Sequence, residues 1–459
     1  MLITDNKETD LFEGWIPAHQ IEMPEELIFA DKAFDDPRVI EPFLKDSKTT
    51  GRPSTAVATY LRMMYLKFRY QMSYEVLVKE VSDSYKWRKF CHLSLFGDVP
   101  DDKTLIKLTG RFGESAVRAA HDAIVRQAVE AKIIRGKKMR VDTTVNESNI
   151  HYPTDTGLLA DGVRVITRTI KKIKEAAKLK TFFRSRVRSV KRRVLKMVKF
   201  LKGRGSAAKK KRDEIKKEIL AIARKVLNQA RGVWREIRPG KIETSDINAK
   251  GLMSLTALDV QLKHWLGLFE RVIAQTATVL SGNTHIPDRI VSLFDPGARP
   301  IQKGKLFPKT EFGRKVLIQE AEAGLVSDYQ VHSGNPTDQS LLEAAIDRHE
   351  EIFGHVPKEL ATDRGFWDTL VQDRLKERGI QKISIPAKGA LSSKQSTMQH
   401  RHWFRRLQRW SAAGEAKISL LKRKFGLKKS LARGDRGAET WIGWGIITHN
   451  LVRMACAGP

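Results

Sequence analysis

The hydrophobic pattern of this chain changes its period twice, and that change limits the folds it can adopt. Between residues 138 and 145, apolar and polar side chains alternate as they do in a half-buried β-strand. From about residue 163 to residue 280, apolar residues recur at helical spacing. Strand-like runs then return at 314–319, 325–332, 359–363 and 380–386. The order predicts an α/β core, a mixed five-stranded sheet with flanking helices, and a large helical insertion between its first and second strands.

The length of the chain and the positions of its prolines predict several segments. A chain of 459 residues exceeds the usual size of one domain, so we expect a core with added modules. Prolines break the first fifty residues into short pieces, which predicts a polar, loosely organised lead. Three amphipathic helices follow, and they are typical of a helix-turn-helix unit, although spacing alone leaves DNA binding there open. The predicted segments are the lead at 1–50, the helical unit at 51–130, the first part of the core at 131–162, the basic helical insertion at 163–285, and the remainder of the core with a C-terminal helix at 286–459.

Positive charge is concentrated in one part of the chain. The whole sequence has 84 Lys and Arg against 53 Asp and Glu, a net charge of +31. Residues 168–240 alone hold 27 basic and 5 acidic residues. Such a segment favours a polyanionic partner, and we expect it to bind duplex DNA with an affinity that falls steeply with salt. A solvated, charged helical hairpin is the alternative that the sequence leaves open.

Cysteine usage and hydropathy exclude several classes of protein. The two cysteines, Cys91 and Cys456, are too few for a disulfide framework or a thiolate-rich zinc site. No run approaches the roughly 20 apolar residues of a membrane span, and the N-terminus lacks a basic region followed by an apolar one. We therefore expect an unexported, cytoplasmic protein with no membrane partner.

Three acidic residues lie where separate elements of the predicted core could bring them together. Asp142 lies on the first strand and Asp363 ends the fourth, so they become neighbours if these strands pair side by side. Glu415 lies on a helix that we expect to pack across the sheet, and Lys422 follows on the same rim of its apolar stripe. Converging carboxylates suit two Mg²⁺ ions about 4 Å apart, which cleave phosphodiesters. An ordinary salt-bridged helix face is the alternative for Glu415 and Lys422.

Five runs of sequence carry a resemblance to a known family. They are residues 141–145 (VDTTV), 149–155 (NIHYPTD), 294–300 (FDPGARP), 361–367 (ATDRGFW) and 413–426, which begins AGE and ends KRKFG. With these runs the chain resembles bacterial insertion-sequence transposases of the DDE type, most closely the ISNCY family, from about residue 50 to the end. The resemblance implies an RNase H-like catalytic core in which Asp142, Asp363 and Glu415 hold two Mg²⁺ ions, with Mn²⁺ as a substitute. It also implies that the N-terminal helical unit binds DNA and that the protein is associated with the bacterial nucleoid.

The resemblance further assigns the DNA contacts of the predicted helix. In these transposases the helix carries Tyr, two residues, Arg, three residues, Glu, six residues and Lys. Glu415 and Lys422 match this signature, and Lys422 is expected to contact a DNA phosphate. Gln408 stands at the Tyr position and Ser411 at the Arg position. The remaining phosphate contact is therefore assigned to nearby arginines, namely Arg405, Arg406 or Arg409.

Other residues near these motifs have two interpretations each. Arg364 and Trp367 follow the second aspartate and are expected to contact DNA, Trp367 by stacking on an unpaired base. A tryptophan that anchors a helix in the core is the alternative. Asp295, in a Pro/Gly turn, is either a fourth acidic group near the site or a turn-forming residue. His400 and His402 have no partner at zinc-like spacing and are expected to be surface residues near DNA.

The function that these observations favour is DNA transposition. The predicted enzyme binds the terminal inverted repeats of its own element, cleaves DNA by two-metal hydrolysis and transfers the strand into target DNA. Because two ends must be paired, we expect at least a dimer on DNA. The alternatives are an RNase H-like nuclease or resolvase without strand transfer, and a non-catalytic basic DNA-binding protein.

Overall fold

The chain forms two compact units. A computed structural model describes residues 4–5, 13–45, 54–200, 203, 205–237, 249–302 and 310–457. Unit 1 comprises Met1–Asn149 and Gly313–Pro459, and unit 2 comprises Ile150–Phe312. The insertion predicted at residues 163–285 therefore lies inside unit 2, which is longer at both ends.

Helices and strands alternate along the chain after a helical N-terminal part. The helices in the described ranges are α1 (Ala18–Ile21), α2 (Glu25–Phe34), α3 (Pro37–Ile40), α4 (Val57–Arg69), α5 (Tyr74–Asp83), α6 (Tyr85–Phe90), α7 (Asp102–Glu130), α8 (Asp155–Ala176), α9 (Val187–Val198), α10 (Ser206–Glu236), α11 (Ala249–Leu280), α12 (Leu342–Phe353), α13 (Thr369–Glu377), α14 (Ser393–His400), α15 (His402–Lys424) and α16 (Gly434–Ala457). The strands are β1 (Lys138–Ser148), β2 (Arg299–Gln302), β3 (Thr310–Glu320), β4 (Val326–His332), β5 (Glu359–Thr362), β6 (Lys382–Ser384) and β7 (Lys429–Ser430).

The sheet that contains β1 is mixed, as the sequence predicts, but among the described residues it has seven strands where five were expected. Strand β1 pairs antiparallel with β3, where Asp142 lies opposite Ile318, and parallel with β5, where Val141 lies opposite Thr362. Strand β4 pairs antiparallel with the other side of β3, and β6 pairs parallel with β5. The short β7 pairs with the end of β1. The prediction that the strands of the two aspartates are neighbours is therefore confirmed.

Helices cover both faces of this sheet. Met139 and Val141 of β1 pack in a core cluster with α12 and α13, whereas α15 lies on the face to which Arg140 and Asp142 belong. Arg140 and Thr144 are buried, although they occupy the polar positions of the alternating pattern. The expected half-buried strand is thus covered on both faces, and its polar face is enclosed by a helix.

Residues 13–45 differ from the expected loose lead, because they form helices that pack in the main core of unit 1. Phe34 of α2 and Phe43 just after α3 are buried in the same cluster as α4, α7 and α16. The prolines explain the difference. Pro24 is the N-cap of α2 and Pro37 is the first residue of α3, positions where the missing N–H breaks no helical hydrogen bond. These prolines therefore start helices instead of interrupting them.

The three helices predicted after residue 54 are confirmed as α4, α5 and α7. The Ser73 hydroxyl caps α5 by accepting a hydrogen bond from the Val76 amide at 3.2 Å. The Asp101 carboxylate caps α7 by accepting one from the Thr104 amide at 2.7 Å. Val76, expected on the packed face, is exposed.

Unit 2 is built mainly from four helices, which confirms the helical nature of the basic segment. Helices α8, α10 and α11 share a core that includes Ile166, Ile219 and Phe269. Gly162 permits the close approach of α8 and α11, because a Cβ there would lie 2.0 Å from Cδ2 of Phe269. In the ranges that the structure describes, no helix is both long enough and apolar enough to cross a bilayer.

Candidate active site

The sheet brings Asp142 and Asp363 together. Asp142 follows Val141 on β1, and Asp363 follows Thr362 directly after β5, so the register of the two parallel strands makes the aspartates neighbours. The Thr143 amide donates to Oδ1 of Asp142 at 2.6 Å. Asp363 caps a short 3-10 turn, and its Oδ1 accepts the Gly365 amide at 2.8 Å. Local backbone donors therefore hold both carboxylates at one edge of the parallel pair.

The electrostatics of this edge are those of crowded carboxylates. Burial, then repulsion from Asp363, Asp338 and Glu415, raises the pKa of Asp142 to about 7. Burial and repulsion from Asp338 also raise the pKa of Asp363, which Lys388 partly opposes. A cluster of carboxylates that repel one another in this way fits a divalent cation with oxygen ligands, such as Mg²⁺.

Helix α15 supplies Glu415, as predicted, by packing across β1, β5 and β6. Its charge contributes to the raised pKa of Asp142, so it lies within electrostatic reach of that residue. Glu415 itself is exposed at the surface of the helix. Glu415 is therefore near Asp142, and its membership of the same site stays a prediction.

Arg140 anchors α15 above the strand that carries Asp142. Its guanidinium donates to both carboxylate oxygens of Glu320 on β3, with 2.6 Å from Nη2 to Oε1, and to the carbonyl oxygen of Trp410 on α15. It also packs over the Trp410 ring, 5.1 Å from the ring centroid. Gly414 of α15 faces the guanidinium, where a Cβ would make an ordinary contact, 3.6 Å from Nε. No local pattern in the sequence predicts this anchor.

The three carboxylates are spaced more widely than the ligands of a single ion. Within the described ranges, the one trio of His, Cys, Asp or Glu whose ligand atoms all lie within 4.8 Å of one another is elsewhere, so the oxygens of Asp142, Asp363 and Glu415 exceed that spacing. Two ions about 3.5–4 Å apart span a wider set of ligands than one ion. In this structure the three carboxylates are therefore not gathered as the ligands of one ion.

The closely spaced trio is Asp31, Asp35 and His92, and the side chain of Arg62 already neutralises its carboxylates. The buried guanidinium of Arg62 donates to Asp31 at 2.7 Å and to Asp35 at 2.5 Å. His92 Nε2 lies 3.0 Å from the same Asp31 oxygen. These contacts join α2, α4 and the end of α6 through ion pairs, so the cluster has a structural explanation.

The fourth acidic residue of the site is Asp338, whose sequence context predicts only a turn. Its Oδ1 accepts the Thr143 hydroxyl at 3.0 Å and lies 2.6 Å from Nζ of Lys315. Strand β4 runs in the same direction as β1 and β5, so the turn after β4 reaches the edge that holds the two aspartates. Asp295, the candidate fourth acidic residue, is in unit 2, where its amide donates to the Ser292 hydroxyl at 3.3 Å. The Ala298 amide donates to the carbonyl oxygen of Asp295 at 3.1 Å and closes a turn that begins at Asp295, which favours the turn-forming interpretation.

The signature positions of α15 are partly structural. Gln408, at the Tyr position, donates to the carbonyl oxygen of Ser384 at 2.7 Å and to that of Thr362 at 3.3 Å, which ties α15 to β5 and β6. Arg406 forms an ion pair of 2.7 Å with Glu359 at the start of β5, the opposite end of the strand from the site. Arg406 is therefore already ion-paired, and its phosphate contact stays a prediction.

The other predicted DNA contacts differ in how exposed they are. Arg405 and Arg409 are exposed and line a cavity of about 590 Å³ together with Gln408, His400 and His402. Lys422 is half-buried and Arg364 is exposed. Trp367 is half-buried, packs against the cluster beneath the sheet, and accepts a hydrogen bond from Gln339 at its carbonyl oxygen. Its packing favours the helix-anchoring interpretation, although its ring also lines a cavity of about 670 Å³.

The family match found by comparison with known proteins lies in the N-terminal part of the chain. Residues 16–111 match the family described as "Transposase domain (DUF772)". Over 130 residues, 27% of this chain, the sequence is 28% identical to "Uncharacterized protein ORF8 in nfe locus" of Rhizobium meliloti, and the match spans 63% of that protein. No solved structure matches the chain significantly. The family match begins inside the segment that we expected to be a loose lead, ends before Asp142, and supports an insertion-sequence transposase.

Proposed function

We propose that this chain is a DDE transposase of the ISNCY type, with an RNase H-like core in unit 1. The observation that carries the proposal is the parallel pairing of β1 and β5, which sets Asp142 beside Asp363 under the helix of Glu415. The match of residues 16–111 to a transposase domain supports the same class independently, because it does not include these carboxylates. The mixed sheet with helices on both faces agrees with the proposed core.

The chemistry proposed for this site is metal-dependent. Bound Mg²⁺ ions would activate the attacking water or 3′-hydroxyl and stabilise the leaving oxygen of a phosphodiester. Asp142, Asp363 and Glu415 hold these ions, with Mn²⁺ as a substitute. The amides of Thr143 and Gly365 orient the two aspartates. The raised pKa of Asp142 means that it must lose its proton before it binds a cation.

Cationic side chains around the site and in unit 2 hold the DNA in this proposal. Arg405, Arg409 and Lys422 on α15 contact phosphates near the cleaved bond. The exposed basic face of α9 in unit 2, with the residue that caps its C-terminus, binds duplex DNA through non-specific phosphate contacts. Its residues are Arg188, Lys191, Arg192, Lys196 and the cap Lys199. The DNA partners are the terminal inverted repeats and the target, and a second copy of the chain pairs the two ends.

The experiment that tests the proposal compares Asp142→Ala with the intact protein on DNA that carries the ends of the element. We expect the variant to bind this DNA and to lose Mg²⁺-dependent cleavage. Asp347→Ala is the matched control, because Asp347 is exposed on α12 and pairs with Arg378. Cleavage that persists in Asp142→Ala with metal present would contradict the assignment. Transfer of precleaved ends into target DNA separates a transposase from a nuclease or resolvase.

A further inference from the structure

Asp338 is held with one carboxylate oxygen anchored and the other directed at the site. Among the described residues, both contacts of its carboxylate, from the Thr143 hydroxyl and from Lys315, go to Oδ1. Lys315 is itself fixed, since its Nζ also donates to the carbonyl oxygen of Pro336 at 2.7 Å. Thr143 lies on β1, the strand of Asp142, and Lys315 lies on β3, which pairs antiparallel with β1.

The second oxygen of Asp338 lies close to Asp363, beside Gly365. A Cβ added to Gly365 would lie 2.7 Å from Oδ2 of Asp338 and 2.8 Å from Oδ1 of Asp363. A methyl group at residue 365 would therefore overlap both carboxylates, so only glycine lets the two oxygens approach the same point. Because both oxygens lie within 2.8 Å of that point, one cation can reach both of them.

The backbone segments that carry these two carboxylates are joined. Gln339, the residue after Asp338, donates from Nε2 to the carbonyl oxygen of Trp367 at 2.9 Å. Trp367 ends the short turn that Asp363 caps. The separation of Asp338 and Asp363 is thus set by direct contacts between their turns, in addition to the sheet.

We propose that Asp338 is a fourth carboxylate ligand of the metal site, contributing Oδ2 beside Asp363, with Lys315 and Thr143 positioning it. This inference rests on the proposed function, because it concerns the same site. In it Lys315 partly neutralises a ligand and thereby weakens the attraction of the site for cations. The alternative is that Asp338 is only the partner of a buried lysine.

The test measures Mn²⁺ binding to the full chain by isothermal titration calorimetry and electron paramagnetic resonance. Asp338→Asn keeps the shape of the side chain and an oxygen that can accept from Thr143, but it removes the charge. We expect it to lower Mn²⁺ affinity about tenfold or more. Lys315→Met should raise the affinity on the order of fivefold, because it removes a neighbouring positive charge. Asp373→Asn and Lys376→Met are matched controls, since these residues form an exposed Asp–Lys pair of 2.7 Å on α13.

Several results would overturn the inference and still leave the proposed function standing. If Asp142→Asn abolishes Mn²⁺ binding but Asp338→Asn does not change it, Asp338 is no ligand. If folded Lys315→Met binds Mn²⁺ with unchanged or lower affinity, Lys315 does not weaken cation binding by neutralising Asp338, and the inference is wrong. Should Asp338→Asn fail to fold, the double variant Asp338→Asn with Lys315→Met removes both charges of the pair, and it should bind Mn²⁺ about tenfold more weakly than Lys315→Met alone. Equal affinity of these two variants would show that Asp338 is no ligand. Failure of the intact chain to bind Mn²⁺ would instead contradict the proposed function itself.

Discussion

Asp142 differs from the other acidic residues of the site because it lies inside a strand. Asp363 and Asp338 follow the ends of β5 and β4, whereas Asp142 is the fifth residue of β1 and is covered by α15. Its pKa is about 7, so near neutral pH it is a mixture of acid and carboxylate. The charge of Asp142 therefore changes with pH in the physiological range.

The stability of the metal-free protein should depend on the ionisation of Asp142. In the unfolded chain its pKa returns to about 3.8, so between about pH 4 and pH 7 the folded state binds the extra proton. The contribution of Asp142 to stability therefore falls as pH rises through this window. In EDTA, urea unfolding at pH 5 and pH 8 should show a larger decrease in stability for the intact chain than for Asp142→Asn. The same decrease in both proteins would mean that folding does not raise the pKa of Asp142.

Sequence reasoning reached some residues of the site and missed others for a physical reason. Asp142 and Asp363 follow from strand placement and from their motifs. Asp338 ends a run, 333–338, whose composition a turn explains completely. Only the direction of β4 in the sheet shows that this turn meets the two aspartates, and pairing direction is not encoded in local composition.

At the scale of elements, the amphipathic pattern of α15 predicts that it packs on the sheet but not how it is fixed there. The alternation in β1 suggests that Arg140 faces water. In the structure its guanidinium is buried between Glu320 and the carbonyl oxygen of Trp410. A long-range ion pair of this kind joins residues 180 positions apart, which no local period reveals.

Breaking the anchor should destabilise unit 1 and disturb the site. Arg140→Met leaves the buried Glu320 unpaired, which should lower the free energy of unfolding by about 3–5 kcal/mol. Replacing both residues, as in Arg140→Met with Glu320→Met, should recover much of that stability. Urea denaturation measures the effect, and Arg374→Met, from an exposed ion pair with Glu343, is the control. An Arg140→Met protein as stable as the control would mean that the buried pair does not hold α15.

For the whole molecule, the sequence predicts the order of segments better than their limits. The change of period finds the helical insertion, but unit 2 extends beyond residues 163–285 at both ends. The prolines of the first fifty residues predict a loose lead because prolines usually interrupt structure. The choice between starting and interrupting a helix depends on what the flanking helix packs against, and α2 packs in the core of unit 1.

The basic surface of unit 2 should determine how duplex binding depends on salt. Changing Arg188, Lys191, Arg192 and Lys196 to Gln should reduce the slope of log affinity against log salt by about 0.9 for each phosphate that the protein no longer neutralises, or roughly 3–4 in total. Fluorescence anisotropy with a duplex of random sequence measures this slope at salt concentrations between about 50 and 200 mM. Glutamine at three ion-paired residues in and beside α13, Arg374, Lys376 and Arg378, is the control. An unchanged slope would mean that the basic residues of α9 face solvent and do not contact the DNA.

The central claim is that Asp142, Asp363 and Glu415 surround bound metal ions, and the most direct measurement maps where a metal binds. Fe²⁺ with ascorbate and peroxide cleaves a polypeptide close to the bound ion, and mass spectrometry locates the cuts. The account predicts cuts near residues 142, 363 and 415 that excess Mg²⁺ suppresses and that Asp142→Asn removes. Cuts confined to the surroundings of Asp31 and His92, or cuts that persist in Asp142→Asn, would contradict it.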